Sequence, residues 1–351
     1  MTLSLRATND YIPALDGLRA IAILIVLFSH IFSFPLFPGG FGVTVFFFIS
    51  GFLITRLIFS EIHLKQEFSI KRFYFRRFLR LYPPLVFIVF VNSIYVFLQG
   101  EIPSGQEFSA IFLYYWNYYG LLGGKSILAM GALWSLAVEE HFYIVYPWLI
   151  KLLKNSFKAI FCLAVVLVFM ILLWRIFLLS HFHFVGGHYT YSSTDTRIDS
   201  ILYGCLLSLF LEFDIAKKII TKVSSRYVFI LAVILLLLCF LIRGDFFRET
   251  IRYSIQGIAL WIIFASLLFT EKYNFLKLIL EHKVLVYIGK ISYSLYLWNM
   301  FIVFVIVPTW VDVNNQMLFA FTSALLSVLV ASFSYYCLEK PFAKLRHKLR
   351  A

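Results

Sequence analysis

The sequence predicts an all-α integral membrane protein: a single bundle of about ten transmembrane helices, with both termini cytoplasmic. Three observations predict it. The 351 residues are 62% hydrophobic and only 14% charged, whereas a soluble domain carries about a quarter charged residues. The apolar residues come in blocks of roughly 20, the length a helix needs to cross a bilayer. Basic residues alternate across those blocks as the positive-inside rule requires. A water-soluble chain of this composition would have to expose large apolar patches, which water does not tolerate.

The blocks run over 15–34, 41–60, 78–98, 128–150, 157–179, 197–212, 227–242, 253–270, 284–307 and 317–338. The first fifteen residues are polar and mixed, and no small-residue cleavage site follows, so the first block is expected to stay as a helix. With the N-terminus inside, the inner segments hold 23 of the 31 Lys and Arg residues. The outer loops hold four, Lys125, Arg243, Arg248 and Arg252, and the spans hold Arg19, Arg175, Arg197 and Lys290. The net charge of +13 therefore marks the inner face of a lipid bilayer and does not point to nucleic acid. The cytoplasmic (inner) membrane is the expected location. The stretch EFSAIFLYYWNYYG, residues 107–120, is short and aromatic and reads as an interfacial or re-entrant piece. Cys162, Cys205, Cys239 and Cys337 fall in apolar blocks without metal-like spacing and read as small buried filler with no disulfide. With no linker, repeat or long loop, one domain over 1–351 is expected, with no appended soluble domain and no metal.

Taken in order, the blocks carry polar groups where lipid disfavours them. In the first, DGLRAIAILIVLFSH, His30 lies eleven residues beyond Arg19. That is close to three helical turns and about 16 Å of rise, so both share a face; Asp16 sits a turn below Arg19. Intramembrane ionisable groups are expensive and mark function by default, although a histidine bonded to a neighbouring helix is the plainer reading. Next, GVTVFFFISGFLIT (42–55) places Gly42, Ser50 and Gly51 for close helix approach. The segment KRFYFRRFLRLYPP (71–84) sets Arg72, Arg76, Arg77 and Arg80 at helical spacing ahead of Pro83–Pro84, which is expected to kink the span. These arginines are either topology anchors or a cradle for a polyanionic cytoplasmic ligand, since guanidinium forks suit phosphate oxygens.

In the fourth block, WSLAVEEHFYIVYP (134–147) aligns Ser135, Glu139, Tyr143 and Tyr146 on one stripe. Glu139 then faces the bundle interior, as a functional acid or in an ion pair with Arg19, Arg175 or Arg197. The sixth block opens DTRIDSILYG, with Asp195, Arg197 and Asp199 forming either a sugar-binding mouth with Tyr189 and Tyr191 or a salt-bridge knot. The ninth contains ISYSLYLWN, and EKPF closes the last.

Together these pieces resemble the acyltransferase-3 family of membrane O-acyltransferases. They are the Arg19–His30 pair, FFFISGFLIT, the RRxxR run Arg76, Arg77 and Arg80, WSLAVEEHFY, ISYSLYLW and EKPF, in family order over nearly the whole chain. The resemblance implies transfer of an acyl group, commonly acetyl from acetyl-CoA, to a hydroxyl of an envelope or exported glycan or glycolipid. It implies that His30 and Arg19 are the essential pair, that the arginine run serves the CoA donor, and that Glu139 is the acid of the WSL segment. Two positions depart from the family pattern: Thr44 stands where Asp is frequent, and Asn299 where His is frequent.

On this reading His30 is the general base toward the sugar hydroxyl, because a hydroxyl needs a base of near-neutral pKa; an acyl-histidine intermediate is the alternative. Asp16 pairs with Arg19 at the inner mouth, Arg72 joins the cradle, and Ser50 or a helix N-terminus serves the oxyanion. The rival function is a polytopic transporter or flippase coupled to a proton-carrying histidine. Against it stands the lack of an inverted repeat with matching broken spans.

Overall fold

A computed structural model describes residues 11–32, 38–182 and 187–348. Every regular element among them is helical. The main helices are α1 (Pro13–Phe32), α2 (Gly39–Lys65), α3 (Ile70–Leu98), α4 (Gly105–Phe112), α5 (Leu133–Leu152), α6 (Phe157–His181), α7 (Thr194–Phe210), α8 (Ala216–Val223), α9 (Arg226–Leu241), α10 (Ile251–Phe269), α11 (Ser292–Phe301) and α12 (Gln316–Ser334). Side-chain caps set several starts: Ser69 accepts from Arg72 N at 3.4 Å, Ser104 from Glu107 N at 3.1 Å and Ser156 from Ala159 N at 3.4 Å, each relieving an orphan N–H of a first turn.

Each of the ten apolar blocks overlaps one of these helices, and among the described residues seven stretches are long and apolar enough to cross a membrane: α1, α2, α3, α6, α10, 292–309 and 316–345. The pair α8 and α9, bent by 69°, brings an eighth. The two predicted spans that fall short do so for a physical reason. Helix α5 spends its apolarity on Glu139, Glu140 and His141, and α7 has only 17 residues and carries Asp195, Arg197 and Asp199. The termini, expected in the cytoplasm, lie outside the described residues. The aromatic stretch 107–120 forms only α4 and a single turn over Trp116–Tyr119, too short to span.

Helix α3 runs on through Pro83 and Pro84, where the expected kink was placed. Prolines at 83 and 84 withhold two backbone donors, and the neighbouring carbonyl of Leu81 accepts from Tyr293 Oη at 2.8 Å. One expectation is corrected. Cys162 and Cys337 are exposed rather than buried, because each sits on an outward face of an apolar helix. Arg56 lies within α2, which continues to Lys65, and is only 2% exposed.

The chain divides into two compact units. The first contains residues 43–68 and 138–286 with the chain up to Arg19. In it α6 packs on α7, α7 on α10 and α10 on α9, around Phe47, Phe48, Phe52 and Phe264. Helices α2 and α7 cross at two glycines. A Cβ on Gly51 would lie 1.9 Å from Ile201 O, and one on Gly204 1.9 Å from Phe48 O, so only hydrogen fits at either position. The second unit contains 20–42, 69–137 and the chain from Tyr287. Here α11 packs on α12 and α3, with Phe87 against Trp298 and Tyr95 against Phe301. Beyond α11 the chain widens into a π-helical stretch over Ile302–Ile306, a distortion that recurs at functional sites.

Candidate functional site

His30 ends α1, half-buried, and belongs to the second unit. Its Nδ1 lies 2.5 Å from Asn299 Oδ1, and its ring is 5.6 Å from Phe304 of the π-helical stretch. Asn299 is fully buried. Its Nδ2 donates to the carbonyls of Leu295, at 3.1 Å, and Tyr296, at 2.6 Å. The Tyr296 hydroxyl donates to Ala132 O at 2.8 Å and meets Ser135 Oγ at 2.6 Å. Ser135 Oγ also lies 3.4 Å from Ala132 O, so either hydroxyl can donate in that second contact. The ISYSLYLWN segment, the WSL segment and the histidine are thereby joined in one hydrogen-bonded chain.

The remaining sequence-predicted groups fall as follows. Helix α1 is unbroken from Asp16 through His30, so the three-turn spacing of Arg19 and His30 holds. Asp16 and Arg19 form the expected ion pair at 3.6 Å, and Tyr11 Oη donates to Asp16 at 2.6 Å. In the first unit Glu139 Oε2 accepts from Ser50 Oγ at 3.0 Å and Tyr143 Oη at 2.9 Å. Ser50 thus spends its one proton on Glu139, which leaves none for an oxyanion. Of the arginines named as candidate partners of Glu139, Arg175 pairs with Asp199 at 2.7 Å and Arg197 donates to Thr44 Oγ1 at 3.0 Å. Arg72 is exposed on α3, and Arg76, Arg77 and Arg80 are half-buried a turn or so further along it; all four belong to the second unit, as His30 does.

The DTRID segment has the form of the salt-bridge knot. Arg175 and Asp199 are both fully buried, and Arg175 also donates to Thr196 O at 2.6 Å and Ser254 Oγ at 3.1 Å. Asp195 accepts from Trp174 Nε1 at 2.7 Å and Tyr189 Oη at 3.0 Å. The Arg197 guanidinium lies 3.9 Å from the Tyr253 ring centroid and 5.7 Å from those of Phe47 and Tyr191. A cation over ring faces is stabilised by them.

Three groups carry more than the sequence reading assigned them. Tyr296 had no role although its segment was singled out; its signal is a phenol three residues before Asn299. Thr55 and Tyr146, 2.8 Å apart, form a buried pair in the first unit. Glu107, 1% exposed, accepts from Ser126 Oγ, Ile127 N and Leu128 N at 2.7, 3.1 and 3.0 Å. It clasps the loop that leads into α5, and its signal is a lone acid in an aromatic stretch.

Comparison with known proteins adds a family. The sequence model described as "Acyltransferase domain", acyltransferase-3, matches residues 12–337. An O-acetyltransferase OatA of Staphylococcus aureus (strain NCTC 8325) is 30% identical over 348 residues, covering 95% of this chain and 57% of the relative. A peptidoglycan O-acetyltransferase OatA of Listeria monocytogenes is 29% identical over 366 residues, covering 98% of this chain and 58% of the relative. The chain thus spans somewhat over half the length of these relatives. No solved structure matches it.

Proposed function

The chain belongs to the acyltransferase-3 family, and from that premise we propose that it moves an acyl group, acetyl first among candidates, from cytoplasmic acyl-CoA to a hydroxyl of an envelope or exported glycan. The Listeria relative is named for peptidoglycan, so a peptidoglycan sugar is the first acceptor to try. The observation that carries the reading is the half-buried imidazole of His30, held by a buried amide in the same unit as the arginine helix α3.

In this reading the CoA phosphates bind Arg72, Arg76, Arg77 and Arg80, whose charge-assisted hydrogen bonds suit phosphate oxygens. The Asp16–Arg19 pair lines the way in. His30 removes the proton of the acceptor hydroxyl as its oxygen bonds to the thioester carbonyl carbon. The carbon–sulfur bond then breaks, and the leaving CoA thiolate takes up a proton from the imidazolium. Glu139, with Ser50 and Tyr143 donating to it, is an acceptor for sugar hydroxyls or an orienting acid. The enzyme works in the cytoplasmic membrane, with the donor on one side and the glycan on the other.

The test is acetyl transfer from labelled acetyl-CoA to envelope glycan in membranes holding equal amounts of wild type, His30→Ala and Arg19→Ala. General-base catalysis contributes about 10²- to 10⁴-fold, and His30→Ala is expected to lose at least the lower figure. Near-normal glycan acetylation by His30→Ala would remove the base assignment.

A further inference from the structure

We propose that Asn299 is a positioning residue that fixes His30 in the Nδ1–H tautomer, so that Nε2 is the nitrogen that takes the acceptor proton. This rests on the reading of His30 as the base and adds which nitrogen acts and what selects it.

An asparagine side chain offers two N–H donors and one carbonyl oxygen. Both donors of Asn299 are spent on the carbonyls of Leu295 and Tyr296, at 3.1 and 2.6 Å. Rotating the amide by half a turn would push its oxygen against two carbonyl oxygens, with no donor between them, so the network itself fixes the orientation. The group left facing His30 Nδ1 at 2.5 Å is therefore Oδ1, which can only accept. A neutral imidazole makes that contact only by donating from Nδ1, which leaves the lone pair on Nε2.

The amide is itself anchored. Asn299 is fully buried, and the backbone it grips belongs to Tyr296, whose hydroxyl is tied to Ala132 O and Ser135 Oγ. Among the described residues Nε2 has no hydrogen-bond partner, so it is the nitrogen available to a reactant. Because the amide is neutral, it selects the tautomer without adding a charge to hold the imidazolium.

Where a general base is left in the wrong tautomer, kcat falls by up to about 10⁴-fold. The decisive measurement reads the tautomer directly, by ¹⁵N magic-angle-spinning NMR of full-length, ¹⁵N-histidine-labelled protein in lipid bilayers. The chain has eight histidines, and His30 is assigned by difference against His30→Gln. Wild type is expected to carry the proton of neutral His30 on Nδ1. Asn299→Leu, similar in size but unable to accept, is expected to shift that proton toward Nε2 and to lower kcat at least tenfold, within the range of up to about 10⁴-fold above, while the donor KM stays put. Asn299→Gln, which keeps a neutral acceptor and both amide donors on a side chain one methylene longer, is expected to keep the Nδ1–H signal and to recover activity relative to Leu; it also decides the matter if the leucine variant does not accumulate.

A wild-type proton on Nε2, a tautomer that ignores Asn299→Leu, or a tautomer lost in Asn299→Gln overturns the lock. A lock that behaves as expected in a protein whose His30→Ala variant still acetylates overturns the base reading instead, and reduces Asn299 to a structural partner.

Discussion

Thr44 and Asn299, the two positions that depart from the family pattern, each touch a residue of the candidate site. Asn299 meets His30, and Thr44 accepts from the buried Arg197. In both cases a neutral oxygen serves as acceptor. For Thr44 this means that a hydroxyl and aromatic faces are among the groups that hold the Arg197 charge. Thr44→Val is expected to destabilise the protein by about 1–3 kcal/mol, the cost of removing one partner of a buried hydrogen bond. Thermal unfolding in detergent by intrinsic fluorescence decides; equal stability of Thr44→Val and wild type would show that the contact contributes nothing. The sequence marked both positions as unusual. It gave no partner for either, because His30 and Asn299 are 269 residues apart and Thr44 and Arg197 are 153 apart.

The helices are held to one another by two devices of different legibility. One is the crossing of α2 and α7 at Gly51 and Gly204. The first glycine is conspicuous in FFFISGFLIT; the second, in DSILYG, gains its meaning only from the carbonyl of Phe48 opposite it. Gly204→Ala should force the helices apart and cost about 1–3 kcal/mol, whereas Gly120→Ala, with open space around it, should cost far less. Thermal unfolding of the two variants should separate them; equal loss would mean that the crossing is loose. The other device is the buried Arg175–Asp199 pair. Arg175→Leu strands a carboxylate and should cost about 3–5 kcal/mol, much of it recovered in Arg175→Leu with Asp199→Leu. If the single variant unfolds at the wild-type temperature, Asp199 has another partner.

For the whole molecule, two expectations remain to be tested, orientation and donor binding. The distribution of Lys and Arg predicts the α2–α3 connection inside and the loop before α5 outside. With Cys162 and Cys337 replaced, because both are exposed, a membrane-impermeant maleimide applied to intact cells should label Leu122→Cys and spare Glu67→Cys; the converse pattern would invert the protein. Replacing Arg76, Arg77 and Arg80 together by Gln should raise the apparent KM for acetyl-CoA about tenfold or more, with a smaller effect on kcat, if they hold its phosphates. An unchanged KM would leave them as anchors against the membrane surface.

What the sequence determined by itself is what is encoded locally. The helical class, the approximate bounds of the apolar blocks, the aromatic non-spanning piece at 107–120 and the order of the family motifs all follow from hydrophobic length, helical period and short-range motifs, which are properties of adjacent residues. Length and apolarity alone mark seven or eight stretches, because polar side chains such as those of α5 and α7 lower a segment's hydropathy whether they face lipid or one another. Only the tertiary structure decided the partners: Asn299 for His30, Ser50 and Tyr143 for Glu139, Asp199 for Arg175, and burial for Arg56. Most of these contacts join segments far apart in the chain. They depend on which helix faces meet, and that is settled by packing and by the need to satisfy every buried polar group, neither of which leaves a local trace in the sequence.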